Sequence, residues 1–384
     1  MDRCFQLKIV PRDLLFFRDA RPMEGSWIGQ GSGWPQGGTL HGALLSALQQ
    51  FCKTGPGDPL FSSLRTVGPF PEKFRDGKGE LYFPAPLDVM PDGSYLEPRE
   101  PQGESNLPKP LSKILISDAP PTKKSAPHWL SGTQYMRYLT GLPLKDLEEP
   151  SLYDVERRPG IAINSQSRTA ENGRFYMAEY LRMAPETDMA AIVQLNDSRL
   201  LEDMFQKGNL VFHFGGQQCC VQASLQRVTD PLMKSSSILC PPEKVTNRVK
   251  WILLTPACWP DGWCPWFIDM ESGRVMLKSG SVERKDGETR ETWRARKADL
   301  PNIDAVLTAA RIGPAQIFSG WKMGNGKKAG GPRATRLLVP AGSVFYFETA
   351  GREESLKLIN ALSGKFLSKI GGEYGYGLGV CTVY

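Results

Sequence analysis

The chain has 384 residues, of which 40% are hydrophobic and 23% are charged, with 39 glycines and 31 prolines. This composition excludes a disordered or low-complexity chain, which has fewer hydrophobic residues and a larger share of glycine and proline. The length predicts about two or three globular domains. The net charge of +6 at pH 7 is a mild basic excess, too small for a histone-like protein.

The sequence predicts neither membrane segments nor metal sites. Charged residues recur from Lys8 to Arg18, where a secretory signal needs an apolar run. No stretch approaches the roughly eighteen uninterrupted apolar residues of a membrane span. The eight cysteines include no C-x-x-C pair and no spacing suited to zinc. We therefore expect a soluble, cytoplasmic protein that has no cofactor and does not bind membranes.

The positive charge is concentrated in one segment. From Ala305 to Phe347 there is no Asp or Glu, and the cations of this segment equal the net charge of the whole chain. Glycines and one tryptophan are interleaved with them, and single-stranded nucleic acid binds to such mixtures of backbone amides, cations and flat rings. A loop that is basic only for solubility is the alternative. The RNA-binding candidates in this segment are Trp321, Lys322, Lys327, Lys328 and Arg333.

In chain order, the first elements are one or two strands over residues 4–17 and a helix from a cap at Thr39 to about Cys52. Further along, Asn172-Gly173 is the favoured pair for a type I′ turn and predicts a hairpin over about residues 153–183. Neither face of this hairpin is uniformly apolar, so we expect it to project from the body and to contact a partner. Its candidate contact residues are Asn164, Arg168 and Tyr176.

The second half of the chain follows a linker-like stretch, residues 230–244, which places the domain boundary between residues 235 and 236. A strand at 249–254, a helix near Asn302–Arg311 and a strand at 337–347 are predicted next. The last helix is expected to begin at Glu353 and to end at Gly371-Gly372, with Phe366 and Ile370 on its buried face. A glycine-rich turn and a closing strand follow.

A helix, a glycine turn and a final strand are how a ferredoxin-like βαββαβ domain ends, and the first half of the chain fits the same plan. We therefore predict an α+β chain of two tandem ferredoxin-like (RRM-like) domains with long insertions and a projecting β-hairpin thumb. The first domain would span residues 1–235, with the thumb at about 153–183, and the second would span residues 236–384.

The terminal glycine turn contains Tyr374, Gly375, Tyr376, Gly377 and Gly379. A dinucleotide-binding fingerprint is excluded because a strand, and not a helix, follows these glycines. Either the glycines let RNA approach the backbone amides while the two tyrosines stack on bases, or they serve only the positive φ angles of a tight turn. The spacing alone leaves both interpretations open.

Three further candidates lie near the N-terminus. Arg18 and Arg21 end the first strand and can bind phosphate, although a local bridge with Asp19 is the alternative. His41 opens the first helix, where a general base could reach an RNA 2′-hydroxyl. No paired acid or base is close to His41 in the sequence, so a capping or packing role is the alternative. No acidic cluster suggests a Mg²⁺ site.

Together, these segments resemble a known family. They are Phe16-Phe17-Arg18-Asp19-Ala20-Arg21-Pro22, Thr39-Leu40-His41-Gly42-Ala43-Leu44, the 160–182 hairpin, Ser319-Gly320-Trp321, Val339-Pro340-Ala341-Gly342-Ser343-Val344 and the glycine turn. In them the chain is similar to the third subunit of the Cmr complex, the RNA-guided effector of type III-B CRISPR systems, which belongs to the RAMP superfamily. The resemblance runs from about residue 5 to the end. It departs from the family at Ala20, where a glycine is usual.

The resemblance implies a non-catalytic antiviral subunit that caps one end of the complex and holds the 5′ tag of the guide RNA. Its partners would be the guide RNA, the large signalling subunit and the backbone subunits, with the thumb lying between guide and target RNA. The glycines at 375, 377 and 379 would line the RNA path with Arg18 and Arg21. Two alternatives remain: a metal-independent guide-processing endoribonuclease with His41 as general base, and a scaffold that contacts only proteins.

Overall fold

A computed structural model of the chain describes residues 4–18, 28–29, 33–120, 122–206, 208, 210–227, 242, 244–280, 284–285, 287–322 and 330–384. Before residue 228 the elements are β1 (Cys4–Pro11), β2 (Ile28–Gly29), α1 (Gly37–Cys52), β3 (Arg65–Arg75), β4 (Lys78–Pro84), β5 (Glu97–Arg99), β6 (Ile114–Ile116), β7 (Trp129–Ser131), α2 (Gly132–Leu139), β8 (Tyr153–Ile163), β9 (Ala170–Met183), β10 (Thr187–Gln194), α3 (Ser198–Phe205), β11 (Leu210–His213) and β12 (Cys220–Arg227).

The strands of the first half form an antiparallel sheet in the order β11-β12-β1-β10-β3-β4-β7. Successive side chains of a strand point to opposite faces of the sheet, so that Phe5, Leu7 and Ile9 of β1 lie on one face. The apolar faces of α1 and α3 cover that side, with Leu44 and Leu201 among the residues they bury. A short β2 adds to the edge of β9, and β5 pairs only with β6.

After residue 244 the elements are β13 (Arg248–Leu253), α4 (Arg290–Ala298), β14 (Ala305–Arg311), β15 (Gln316–Phe318), β16 (Trp321–Lys322), β17 (Gly331–Pro332), β18 (Arg336–Leu338), β19 (Val344–Thr349), α5 (Arg352–Leu362) and β20 (Gly379–Val383). Four of these strands form a second antiparallel sheet in the order β14-β19-β13-β20. The helix α5 and the irregular segment 257–275 cover its outer face. In contrast, α4 buries none of its residues. The predicted boundary at residues 235/236 lies outside the described residues.

The two sheets pack on each other through a shared core, which contains Phe70 and Ile192 from the first sheet and Ile252 and Tyr346 from the second. Four neighbouring strands of the first sheet have the same order as the four strands of the second sheet. If the strands β1, β3, β10 and β12 are counted in chain order, they lie 4-1-3-2, and so do β13, β14, β19 and β20. The chain is thus a mixed α and β protein built on antiparallel sheets with few helices.

A buried ion pair crosses this shared core. Asp88 is fully buried in the first half, and Lys250 of β13 donates to it at 3.0 Å. The hydroxyls of Tyr138 and Tyr346 also donate to the carboxylate, at 2.8 and 2.7 Å. The Lys250 ammonium lies 4.0 Å from the centre of the Tyr138 ring. Three donors therefore replace the water that a buried carboxylate would otherwise need.

The helix predicted near Asn302–Arg311 is wrong, because β14 occupies Ala305–Arg311. The apolar residues fit a helical period, but they belong to a buried strand whose alternation is interrupted. The register shifts between Leu307 and Ala309, and Thr308 between them donates to the backbone of β19. A bulge of this kind moves the following residues to the other face of the strand and imitates helical spacing.

The predicted hairpin exists, but its turn is not at Asn172-Gly173. The strands β8 and β9 pair from Tyr153–Met183 to Ile163–Ala170, which places the tip at residues 164–169 and Asn172-Gly173 inside β9. Opposite Asn172-Gly173, the register of the two strands shifts between Ile161 and Ile163 of β8. The name thumb is kept for residues 153–183.

Two predicted helix boundaries also differ from the structure. The first helix begins at Gly37, not at a Thr39 cap. The last helix ends at Leu362, since Gly364 adopts a φ of +70°. The residues that were expected to extend it pair instead with the chain before β20, and Phe366 and Ile370 are 37% and 36% exposed.

Candidate nucleic-acid interface

The basic segment forms a second hairpin, residues 316–338, which we call the basic arm. Its strand β15 pairs with β18, and β16 pairs with β17, both antiparallel. Trp321 and Lys322 lie on β16, where only their backbone is described, and Lys327 and Lys328 fall outside the described residues. On the returning side, Arg333 and Arg336 are exposed. The segment is therefore partly a β-ribbon.

The base of the basic arm is attached to the start of α1 and to the glycine turn. Gln316 of β15 accepts a hydrogen bond from Gln36, the residue that precedes α1, at 3.2 Å. The Phe318 ring packs edge-on against Tyr376 at 5.7 Å. Arg333 donates to the Tyr374 hydroxyl at 3.5 Å. Three segments that are distant in sequence thus meet at one place.

The glycine turn lies inside the protein, which corrects its predicted role. The amide of Gly375 donates to Gly372, and that of Gly377 donates to Pro256. Gly379 belongs to β20, where it pairs with the last residue of β13. These amides are engaged within the protein, and the positive φ angles of Gly375 and Gly377 (+79° and +77°) explain why glycine occurs there.

Tyr376 is a core residue and does not have the exposed ring face that stacking on a base requires. Its side chain is 1% exposed, its hydroxyl accepts from the amide of Gly38 at 3.4 Å, and burial raises its pKa. Tyr374 is only partly buried. Of the two tyrosines predicted to stack, Tyr374 alone keeps an accessible surface.

His41 is 8% exposed, with its ring 4.8 Å from that of Tyr374 and its Nδ1 3.4 Å from the Thr66 hydroxyl. Burial lowers the pKa of His41 to about 4, against an opposing effect of Glu373. The imidazole is therefore neutral at pH 7 and packed in a protein interior. This is the packing alternative stated for His41, and such a weak base does not suit the general-base role.

The thumb places its three candidates at different heights. Asn164 closes the tip, because its side-chain oxygen accepts from two backbone amides, those of Gln166 and Ser167. Arg168 is exposed at the tip with a φ of +55°. Tyr176 lies farther down, across from Gly160, whose missing side chain leaves room for the ring. All three thus lie on the thumb, two at its tip and one on β9, and their contact with a partner stays a prediction.

Arg18 is exposed beside a recess of about 240 Å³ that Thr39, His213 and the turn Gly215-Gly216 also line. Arg21 lies outside the described residues.

A cavity of about 520 Å³ lies between the two halves, and the sequence analysis did not predict it. Aromatic rings, prolines and amide side chains line it. Its lining includes Trp34, Gln36, Pro69, Phe70, Pro84, His128, Trp129, Tyr153, Pro256, Gln316, Ala341, Tyr374 and Tyr376. These residues come from segments more than three hundred positions apart, so no local motif could have grouped them.

In the part of the chain that the structure describes, no three His, Cys, Asp or Glu side chains come together in the way that a metal site needs. In the same part, no helix is both long and apolar enough to cross a membrane.

The structure defines a class of protein with two packed antiparallel sheets and two hairpins, one of them basic. The family model described as CRISPR-associated protein (Cas_Cmr3) matches residues 7–381. No curated protein matches the sequence. A chain in the cryo-EM structure of the Type III-B Cmr-beta bound to cognate target RNA and AMPPnP is similar, with 14% identity, a TM-score of 0.46 and coverage of 93% of this chain and 88% of that chain. A chain of the Csm3-Csm4 subcomplex in the type III-A CRISPR-Cas interference complex has 10% identity, a TM-score of 0.35 and coverage of 91% and 93%.

The match of the family model over nearly all of the sequence shows that the chain belongs to the CRISPR-associated Cas_Cmr3 family. The resemblance stated from its sequence motifs is thereby confirmed.

Proposed function

We propose that this subunit holds the 5′ tag of the guide RNA without cleaving it, and that it joins the large signalling subunit to the backbone subunits in the cytoplasm. The observation that carries the proposal is the attachment of the basic arm at the junction of the two halves, where Arg333 donates to Tyr374. An arm with several cations and no carboxylate presents a positive potential that attracts a polyanion.

The fold supports this proposal as a frame for two hairpins. We interpret each 4-1-3-2 sheet as a ferredoxin-like unit, so that the chain is a tandem pair. In the second unit, the irregular segment 257–275 packs where the first helix would lie. The thumb projects from the first unit and the basic arm from the second. In the proposal, the thumb reaches between guide and target RNA, and so contacts the target only indirectly.

The proposal predicts a dependence of RNA binding on salt. If all six cations between residues 305 and 347 met phosphates, the logarithm of the affinity would fall with the logarithm of salt concentration with a slope of roughly −4. Loss of the two cations on the returning side, Arg333 and Arg336, would reduce that slope by about 1.4.

The test uses the assembled complex, purified through this subunit. The double variant Arg333→Glu/Arg336→Glu is expected to release guide RNA at a lower salt concentration than the wild type. The double variant Arg290→Glu/Arg294→Glu on the exposed helix α4 is the matched control, because it makes the same charge change away from the arm. Unchanged RNA retention in the double variant, measured over a range of salt concentrations, would contradict the placement of the RNA path.

The absence of catalysis is part of the proposal and has its own test. The burial of His41 and its pKa of about 4 support a packing role. Repeat RNA incubated with the subunit in EDTA should stay intact. A specific cut that disappears in His41→Ala would establish the endoribonuclease alternative instead. A scaffold that binds only proteins would be recognised by the lack of RNA crosslinks to the basic arm and the thumb.

A further inference from the structure

We propose that the 520 Å³ cavity between the two halves is a pocket for one unpaired nucleobase of the bound RNA. The inference rests on the proposed function, because it needs RNA to be present at the basic arm. Its volume lies in the range of pockets that hold a small organic ligand, about 300–1,000 Å³. The rings, the charge, the polar groups and the position of the lining residues all favour this occupant.

Two separate groups of aromatic side chains line the cavity. Trp34 contacts Trp129 and Tyr153, with ring centres 5.4 and 5.3 Å apart, and Tyr374 contacts Tyr376 at 5.9 Å. Trp34 is fixed by a hydrogen bond from its indole to the Pro69 carbonyl at 2.7 Å. Tyr376 is buried and only supports the ring of Tyr374, whereas Trp34 and Tyr374 are partly exposed. Such pre-positioned rings suit a flat, weakly polar guest, and nucleobases bind to proteins largely by contact with aromatic rings.

The lining of the cavity is nearly free of charged side chains. The described residues that line it include one histidine, His128, and no Lys, Arg, Asp or Glu. A phosphate inside would lie in a poorly solvated space without a cation, which is strongly unfavourable. The cavity therefore fits the base of a nucleotide and excludes its phosphate.

The amide groups of two glutamine side chains lie in the wall of the cavity. Gln36 of the first half donates a hydrogen bond from its Nε2 to the Oε1 of Gln316 of the second half at 3.2 Å, and both residues line the cavity. The Tyr376 hydroxyl lies 3.5 Å from Gln36. Side-chain amides carry both donors and acceptors, as the edges of bases do. This amide pair can therefore hydrogen-bond to one base edge and distinguish it from others.

The cavity lies next to the basic arm. Tyr374 belongs to the cavity wall, and its hydroxyl also accepts from Arg333 of the basic arm. A nucleotide whose base enters beside Tyr374 would leave its phosphate on the side of Arg333. The same residue thus joins a neutral compartment for the base to a cation for the backbone, which favours RNA over a protein side chain as the occupant.

The experiment measures how fast labelled competitor RNA displaces the guide from the assembled complex. A series of guides, each abasic at one position of the tag, is compared in the wild type and in Ala341→Trp, which fills the cavity. Ala334→Trp, on the exposed part of the arm, is the matched control. One abasic position is expected to speed release by on the order of tenfold to a hundredfold in the wild type and in the control. In Ala341→Trp, release should be fast already and unaffected by that abasic position.

A second variant covers the case in which the tryptophan disturbs folding. Gln316→Leu keeps the size of the side chain and removes the amide, and it is expected to abolish the preference among the four bases at the sensitive position while the complex still assembles.

Three results would overturn the inference. The guide could be held by the arm with no single position depending on its base, in which case the proposed function stands and the pocket does not. Gln316→Leu could leave base preference unchanged. Alternatively, Ala341→Trp could release a protein subunit while the base dependence persists, which would identify a protein side chain as the occupant. If the arm variants and every abasic guide behave as wild type, the proposed function fails as well.

Discussion

At the scale of single residues, His41 illustrates how burial changes the chemistry of a side chain. Its ring lies between Tyr374 and Thr66, and its pKa is about 4 because the protein interior disfavours the charged form. In the unfolded chain the pKa returns to about 6.5. The folded state therefore binds fewer protons than the unfolded state between these two pH values, so protonation favours unfolding.

This difference predicts how stability depends on pH. The stabilisation that neutral His41 allows is complete above about pH 6.5 and is lost as the pH falls toward 4. The free energy of unfolding of the wild type should decrease over that window by up to about 3 kcal/mol more than that of His41→Gln, which cannot be protonated. Denaturant unfolding at a series of pH values measures both. Parallel pH profiles for the two proteins would show that the imidazole is not held neutral by the fold.

At the scale of elements, the glycine turn shows that glycines close in sequence serve different purposes. A Cβ on Gly377 would collide with the backbone of Leu367 and Ser368, whereas a Cβ on Gly372 would meet nothing within 4 Å. Gly377 also has a φ of +77°, which is costly for other residues.

Replacement by alanine separates these roles. Gly377→Ala should lower the free energy of unfolding by about 2–5 kcal/mol, because strain and overpacking add. Gly372→Ala, five residues earlier in the chain, should change it by less than about 0.5 kcal/mol. Thermal or denaturant unfolding of the two variants provides the comparison. Equal effects would mean that the turn is looser than its contacts indicate.

At the scale of the whole molecule, the ion pair of Asp88 and Lys250 joins the two halves. Removal of one partner would leave the other charge buried without compensation. Asp88→Ala should therefore cost about 3–5 kcal/mol of stability. Glu271→Ala breaks the exposed ion pair with Lys109 and is the control, expected to cost less than about 1 kcal/mol.

Denaturant unfolding followed by probes in each half measures this effect. If the pair couples the halves, Asp88→Ala should also separate transitions that coincide in the wild type. A cost similar to that of the surface control would show that water reaches the site and replaces the missing carboxylate.

How much of this could be read from the sequence differs from feature to feature. The α1 helix and the strand β1 follow from local periodicity and were predicted at nearly their observed positions, and the thumb was predicted over its observed range. Strand β14 was mistaken for a helix because a bulge breaks the alternation that identifies strands. The turn of the thumb was misplaced because Asn164 closes the tip through its side chain, an effect that outweighs the local preference of Asn172-Gly173.

The candidate site was predictable in its charge and not in its geometry. A run without acidic residues identifies the basic arm directly. Burial of Tyr376 depends on Gly38 and Phe318, which only the folded chain brings next to it. The cavity depends in the same way on contacts between the halves, such as that between Gln36 and Gln316. Periodicity carries no information about such pairs.

The meeting of Gln36 and Gly38 with Tyr374 and Tyr376 has a consequence for biosynthesis. The residues near the start of the chain leave the ribosome long before residues 374–376 do, and the base of the arm has its final contacts only when these last residues emerge. A nascent chain from which residues 374–376 have not yet emerged therefore cannot present the completed surface. In the proposed function, RNA is loaded onto this surface only after these residues have left the ribosome.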